Sequence, residues 1–233
     1  MKYSETIGIV GGMGSYATLE FFRRILDAFP AEKEWDRPRV VIDNRCTMPS
    51  RVRAILYHEE RETVVHELAC AVQGLLGCGA DHLVFACNTS HAFIHDVFRL
   101  VPEAERKTVH IIDTLAQRLW KHQIQSAYLI ASEGTLASNI YQQLFERYGI
   151  KLDVPDSENW GQLREFIEIV KQGQTGRGEQ LRFQRYCEKI PCENIILGCK
   201  EFPVLLSAGE LECGKKLWDP LDSAIEYIKA VIK

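Results

Sequence analysis

Two cysteines occupy matching positions in the two halves of this 233-residue chain. Cys87 follows the apolar run 83–86, Cys199 follows the apolar run 195–198, and in both places polar residues and a helix-like stretch come next. A thiol at a strand-to-helix junction lies near free backbone N–H groups and the positive end of a helix dipole, which favour the thiolate. The thiolate is the form of cysteine that acts as a base, so the repeated pattern predicts two usable thiols rather than two core residues at strand ends.

The segments around these cysteines alternate between apolar β-rich runs and helical patterns. This alternation is typical of an α/β fold with mainly parallel sheets covered by helices. A polar, glycine-rich stretch at 172–178 is predicted to be a surface loop. The predicted strands are 6–10, 39–43, 82–86, 109–113, 127–131, 150–154 and 194–197. The predicted helices are 17–29, 61–76, 91–100, 136–148, 163–171, 179–189 and 222–232.

The repeat of a strand followed by a cysteine predicts two similar α/β lobes. We expect one lobe over 1–114 plus 208–233, carrying Cys87, and the other over 115–207, carrying Cys199. Ligands of parallel sheets bind beyond the carboxyl ends of the strands, so the active site is expected in the cleft between the lobes.

Composition excludes several classes of partner and location. With 46% hydrophobic and 26% charged residues the chain is an ordinary globular protein, and its net charge of −4 predicts neither nucleic acid nor an anionic membrane as a partner. No apolar run is long enough to span a bilayer, and the N-terminus lacks the apolar core of a signal peptide. We therefore expect a cytoplasmic protein whose eight cysteines are mostly free thiols.

Three other chemistries fit parts of the sequence. Cys87, His91 and His95 have the spacing to ligate zinc from one helix face, but the chain offers no obvious further ligand pair. Glycines 8, 11, 12 and 14 follow a strand without the Gly-x-Gly-x-x-Gly order of dinucleotide-binding folds. Acyl transfer by a cysteine, with His91 as the base, is a third possibility.

Three segments, in this order, resemble motifs of the aspartate/glutamate racemase family. They are Gly-Gly-Met-Gly-Ser at 11–15, Ala-Cys-Asn-Thr-Ser-His at 86–91 and Gly-Cys-Lys-Glu-Phe-Pro at 198–203. The resemblance implies two lobes related by a pseudo-twofold axis, usually in a homodimer, and racemisation of an acidic amino acid without a cofactor. One thiolate removes the α-proton while the opposite thiol supplies a proton to the other face. We expect aspartate to be favoured over glutamate.

The resemblance also implies a set of substrate-binding residues. Arg51 is expected to hold a substrate carboxylate, because a guanidinium can bind one bidentately, and Lys171 is expected to help hold the distal carboxylate. The remaining expected contacts are Met13, Gly14, Ser15, Asn44, Asn88, Thr89, Ser132, Thr135, Lys200 and Glu201. No metal is expected.

Two positions depart from the family's motifs. Ser15 stands where the family usually has proline, and Lys200 stands where it usually has threonine. A cation beside Cys199 is expected to favour the Cys199 thiolate, which would remove the acid–base asymmetry that the reaction needs. Lys200 could instead pair with Glu201 or with the substrate carboxylate. A binding protein without turnover, and an isomerase or decarboxylase of a related diacid, therefore stay open as alternatives.

Overall fold

A computed structural model describes residues 2–206 and 214–233, which contain two four-stranded parallel sheets. The first sheet has the order β2-β1-β3-β4, and the second has the order β6-β5-β7-β8. The strands are β1 (Thr6–Gly11), β2 (Arg39–Asn44), β3 (His82–Phe85), β4 (Thr108–Val109), β5 (Ser126–Ala131), β6 (Lys151–Asp153), β7 (Asn194–Gly198) and β8 (Lys216–Trp218). The two halves thus repeat one topology, which confirms the predicted α/β fold with two similar lobes.

Helices cover the sheets. β1 and β7 are buried along their whole length, which explains why every residue after the first in each strand is apolar. A short 3₁₀ helix, Thr89–Phe93, precedes α4. The α-helices are α1 (Ser15–Ala28), α2 (Arg51–Leu56), α3 (Arg61–Gly77), α4 (Ile94–Leu100), α5 (Ala104–Lys107), α6 (Ile111–Lys121), α7 (Glu133–Ala137), α8 (Ile140–Arg147), α9 (Trp160–Lys171), α10 (Arg177–Glu188), α11 (Phe202–Leu206) and α12 (Pro220–Val231).

The predicted strand 109–113 is wrong beyond its first residue. β4 ends at Val109, and α6 begins at Ile111, where the side chain of His110 caps the helix by accepting a hydrogen bond from the backbone N–H of Asp113 at 3.3 Å. The buried residues Ile111, Ile112, Leu115, Ala116 and Leu119 follow the helical period. The β-branched residues at the start of this run therefore reflect the buried face of a helix.

Smaller differences concern breaks and short elements. The predicted helix 136–148 is divided into α7 and α8 at Asn139, whose φ of 54° is left-handed. The short elements β8, α2 and α5 were not predicted, whereas α11 is the helix-like stretch expected after Cys199. The polar break between α9 and α10 is present, although α10 already begins at Arg177.

The C-terminal segment connects both halves. α12 packs against α6 and α1, whereas β8 pairs with β7 in the second sheet. Residues 216–218 therefore belong to the second sheet, although the sequence placed 208–233 with the first lobe. Residues 207–213, where that boundary falls, lie outside the described residues, and the division near Thr114 stays a prediction. Within the described ranges, no helix has both the length and the apolar character needed to cross a membrane.

Candidate active site

The structure brings Cys87 and Cys199, one from each half of the chain, to a single cavity of about 80 Å³. Both lie just beyond the carboxyl ends of equivalent strands, β3 and β7. The lining of the cavity combines the two thiols with three cations, one carboxylate and small polar groups. The lining residues are Met13, Ser50, Arg51, Val52, Cys87, Asn88, Thr89, Ser132, Ile167, Lys171, Gly198, Cys199, Lys200 and Glu201.

The loop after β3 holds Cys87 through its backbone. The carbonyl oxygen of Cys87 accepts hydrogen bonds from the Ser90 hydroxyl at 2.7 Å and from His91 Nδ1 at 3.0 Å. Immediately before it, the backbone N–H of Ala86 donates to the carbonyl of Val10 on the neighbouring strand at 3.0 Å. Cys87 is buried, with 6% of its surface exposed, and these bonds hold its backbone at the end of the sheet.

Cys199 is held as a thiol. Its Sγ donates a hydrogen bond to Glu201 Oε2 at 2.9 Å, in a buried environment. Burial, followed by the neighbouring charge of Glu201, raises the pKa of Cys199 well above its ordinary value. Lys200 lies beside this sulfur, but burial and the charge of Glu201 outweigh its attraction for the Cys199 thiolate, so the expected net shift toward the thiolate is not found.

Lys200 is a buried cation within the cavity. Only 5% of its surface is exposed, and its Nζ lies 3.4 Å from the carbonyl oxygen of Gly14. Burial lowers its pKa, while Cys87 is the strongest of the neighbouring groups that favour its charged form, followed by Glu201. Lys200 therefore places a cation near both sulfurs of the cavity.

Arg51 begins α2 and projects its guanidinium into the cavity lining. Nη1 donates to the carbonyl of Pro49 at 2.9 Å, and Nη2 donates to the carbonyl of Met13 at 3.4 Å. Nε is buried and has no hydrogen-bond partner among the described residues, and within the same ranges Arg51 forms no ion pair. A partly buried guanidinium without a carboxylate partner is a ready site for an anionic ligand group.

Three hydroxyl groups join the two halves of the chain beside the cavity. The hydroxyl of Thr89 lies 3.0 Å from that of Ser132 and 2.8 Å from that of Thr135. Ser132 also caps α7, accepting from the backbone N–H of Thr135 at 3.4 Å. Thr89 and Ser132 line the cavity, whereas Thr135 is fully buried behind them. Thr135 therefore acts on the site through its two neighbours.

Asn88 depends on a residue that the sequence did not single out. The hydroxyl of Tyr141, on α8 of the second half, donates to Asn88 Oδ1 at 2.5 Å, and Tyr141 is fully buried. Burial raises the pKa of Tyr141 well above its ordinary value, so the phenol stays a donor. No local motif marks Tyr141, because it reaches the site through space from a separate helix. Ser50, Val52, Ile167 and Gly198 were also missed, and three of these four adjoin a predicted residue.

Some predicted contacts lie away from the cavity lining. Ser15 and Asn44 bind each other, with Asn44 Nδ2 donating to Ser15 Oγ at 3.0 Å, and neither lines the cavity. Gly14 contributes its carbonyl to Lys200. Lys171 lines the cavity but is half exposed, and its Nζ lies 2.8 Å from Glu168 Oε1.

The zinc hypothesis lacks support in the geometry. His91 Nδ1 is engaged by the carbonyl of Cys87, and His95 is exposed to solvent. Across residues 2–206 and 214–233, no group of three or more His, Cys, Asp and Glu side chains is placed to hold a metal ion.

A duplicated α/β architecture, with one thiol from each half on a shared polar cavity, defines the class of two-lobed α/β isomerases. The family model for Asp/Glu/hydantoin racemase matches residues 10–228. The broad-specificity amino-acid racemase RacX of Bacillus subtilis (strain 168) is 24% identical over 207 residues, covering 86% of this chain and 87% of that protein.

Two solved structures share the fold. The aspartate racemase of Picrophilus torridus has a TM-score of 0.79 at 24% identity, covering 97% of this chain and 94% of that one. The glutamate racemase of Francisella tularensis, in complex with D-glutamate, has a TM-score of 0.70 at 16% identity, covering 99% and 81%. The chain belongs to the Asp/Glu/hydantoin racemase family and is a racemase.

Proposed function

We propose that this protein racemises an acidic amino acid, with aspartate favoured over glutamate, by a two-thiol mechanism that needs no cofactor. The observation that carries the proposal is that Cys87 and Cys199 line one cavity together with Arg51 and Lys200. With one sulfur on either side of the substrate's α-carbon, a thiolate can remove a proton from one face while a thiol supplies a proton to the other.

The protonation states of the two thiols are proposed from their neighbours. The Cys199 thiol keeps its proton and donates a hydrogen bond to the carboxylate of Glu201, so Cys199 is the acid of the resting enzyme. Cys87 is the proposed base, because it is the second thiol on the same cavity and Cys199 already serves as the acid. Cys87 takes the α-proton and becomes a thiol, Cys199 protonates the carbanion from the opposite face and becomes a thiolate, and the reverse reaction or exchange with solvent restores the starting state.

The cations of the cavity support an acidic substrate. Arg51 is placed to bind one carboxylate, and the charge of Lys200 stabilises the electron density that builds up on the α-carboxylate when the proton leaves. Lys171, which is already paired with Glu168, is the candidate for the distal carboxylate. The cavity of about 80 Å³ favours the shorter diacid, and one methylene is worth about 10- to 200-fold in specificity.

The reaction is tested by incubating the pure protein with L-aspartate in deuterated water without added cofactor. We expect exchange of the α-proton and formation of D-aspartate. Cys87→Ser and Cys199→Ser should both abolish racemisation, whereas Cys78→Ser, at an exposed thiol outside the cavity, should retain it. Binding without exchange would support the non-catalytic alternative, and loss of carbon dioxide would support a decarboxylase.

Substrate choice is tested with a panel of aspartate, glutamate, alanine and lysine. We expect kcat/KM to be highest for aspartate and to fall by at least about tenfold for glutamate. Equal rates for acidic and basic amino acids would show a broad specificity, as the name of the Bacillus relative describes for that protein.

A homodimer belongs to the same proposal. Tyr16 and Leu19 of α1 are large hydrophobic side chains with 71% and 63% of their surface exposed, which is consistent with a face that another copy covers. Light scattering on the purified protein should give twice the mass of 26.6 kDa, and a monomer would refute this part of the proposal.

A further inference from the structure

A second cavity, of about 530 Å³, shares no lining residue with the active-site cavity. Four of the chain's seven histidines line it, and we name it the histidine cavity. These histidines are His58, His91, His95 and His110. It lies between elements of both halves, because its lining includes residues of α4 from the first half and of α8 from the second.

His91, one of the lining residues, carries a buried acceptor without a partner. Its Nδ1 contacts the carbonyl oxygen of Cys87 at 3.0 Å, and a carbonyl only accepts, so Nδ1 carries the proton. Burial, with a smaller contribution from His110, lowers the pKa of His91 well below its ordinary value and keeps the ring neutral. Nε2 is therefore a lone-pair acceptor. The residue is only 1% exposed, and Nε2 has no hydrogen-bond partner among the described residues.

His110 presents the complementary donor. Its Nδ1 accepts from the backbone N–H of Asp113 at 3.3 Å, and burial lowers its pKa to about 4, so the neutral ring carries its proton on Nε2. The rings of His91 and His110 are in contact, with centroids 4.6 Å apart. A hydroxyl group placed beside this pair can donate to one ring and accept from the other.

The remainder of the lining favours an anion with an apolar body. Arg147 is exposed and forms no ion pair with any residue that the structure describes, whereas Arg61 is paired with Asp96 at 2.7 Å. Asp113 is already engaged, since its two oxygens accept from Tyr148 at 2.8 Å and from Gln117 at 2.7 Å. Aliphatic side chains supply an apolar surface. They are Ile55, Ile94, Ile140 and Leu144.

We propose that the histidine cavity binds a small organic anion that carries a hydroxyl group on an aliphatic body. The hydroxyl donates to His91 Nε2 and accepts from His110, the anionic group pairs with Arg147, and the aliphatic body packs on Ile140 and Leu144. An unpaired buried acceptor is unfavourable, and a ligand that satisfies it is selected over one that does not. The occupant also contacts the residue that holds the Cys87 carbonyl, which links this cavity to the active site.

The test is a calorimetric titration of the full-length protein with α-hydroxyisocaproate. Isocaproate, which lacks only the hydroxyl group, is the matched ligand. We expect saturable binding of α-hydroxyisocaproate, with isocaproate weaker by about tenfold. Arg147→Gln should weaken binding by about tenfold, whereas Arg185→Gln, on α10 and outside the lining, should leave it unchanged. Ile140→Trp, which fills the cavity, should abolish binding.

The proposal is overturned if no saturable heat is found up to about 10 mM. Binding that Arg147→Gln retains at full strength would place the anion elsewhere, including in the active site, and would equally overturn it. Equal affinity for the two anions would exclude the role of the histidine pair. Arg147 is exposed, so its variant is expected to fold even if Ile140→Trp does not. None of these readouts requires the protein to racemise aspartate.

Discussion

The hydrogen bond between Tyr141 and Asn88 offers a quantitative test of how the second half of the chain supports the first. Tyr141→Phe removes a hydroxyl that donates at 2.5 Å to a buried amide oxygen, and both residues are almost fully buried. Water has no access to replace the donor, so Asn88 Oδ1 is left unsatisfied. Such a loss costs about 1–3 kcal/mol of the free energy of unfolding. For a chain of this size that corresponds to a fall in Tm of roughly 2–12 °C.

The variant should also affect the reaction, because Asn88 lines the cavity beside Cys87. An amide that is free to turn positions the substrate less well, and we expect kcat/KM for aspartate to fall by about tenfold. Thermal unfolding followed by circular dichroism, together with steady-state kinetics, measures both effects.

Tyr148→Phe is the matched control. It removes the same group from a bond of 2.8 Å to Asp113, but this tyrosine is partly exposed and does not line the active-site cavity. Water can replace the donor there, so the control should lose less than about 1 kcal/mol and keep its kcat/KM. If Tyr141→Phe has the same Tm as the control and the same kcat/KM as wild type, the hydrogen bond between Tyr141 and Asn88 does not organise the site.

Three further predictions address charge, backbone and pH. Lys200→Met should lower kcat/KM for aspartate by about tenfold or more, because it removes a buried cation from the cavity lining; steady-state kinetics measures the loss, and an unchanged kcat/KM would contradict this role of the cation. Gly12→Ala should lower the free energy of unfolding, measured in urea, by about 2 kcal/mol or more, because φ is +81° and a Cβ would lie 2.4 Å from the backbone of Arg45. Gly176→Ala, where a Cβ meets no atom within 4 Å, should change the free energy of unfolding by less than about 0.5 kcal/mol. Burial lowers the pKa of His110 from 6.5 to about 4, so the unfolded chain binds more protons than the folded chain between these pH values. The free energy of unfolding should therefore fall by up to about 3 kcal/mol as the pH drops from 6.5 to 4. Urea midpoints measured over this pH range should fall less steeply for His110→Asn than for wild type.

The α/β alternation and the position of both thiols were predictable because they are local properties of the sequence. Continuously apolar strands such as β7 need only a few consecutive residues to be recognised, and Cys87 and Cys199 each follow such a run. Local patterns gave a wrong prediction where a short apolar run fits both a strand and a helix. Ile111 and Ile112 are β-branched, as is typical of strands, but they lie in the helix α6. There the contacts of the whole buried face of α6 override the strand propensity.

Tertiary structure alone decided how the site residues act on one another. Tyr141 reaches Asn88, and Thr135 reaches Thr89, from the other half of the chain, and no spacing along the sequence encodes these approaches. Lys200 follows Cys199 in the sequence, yet the sulfur of Cys199 forms its hydrogen bond with Glu201. The direction in which each side chain leaves the turn determines which charge each thiol meets, and a one-dimensional pattern does not contain that direction.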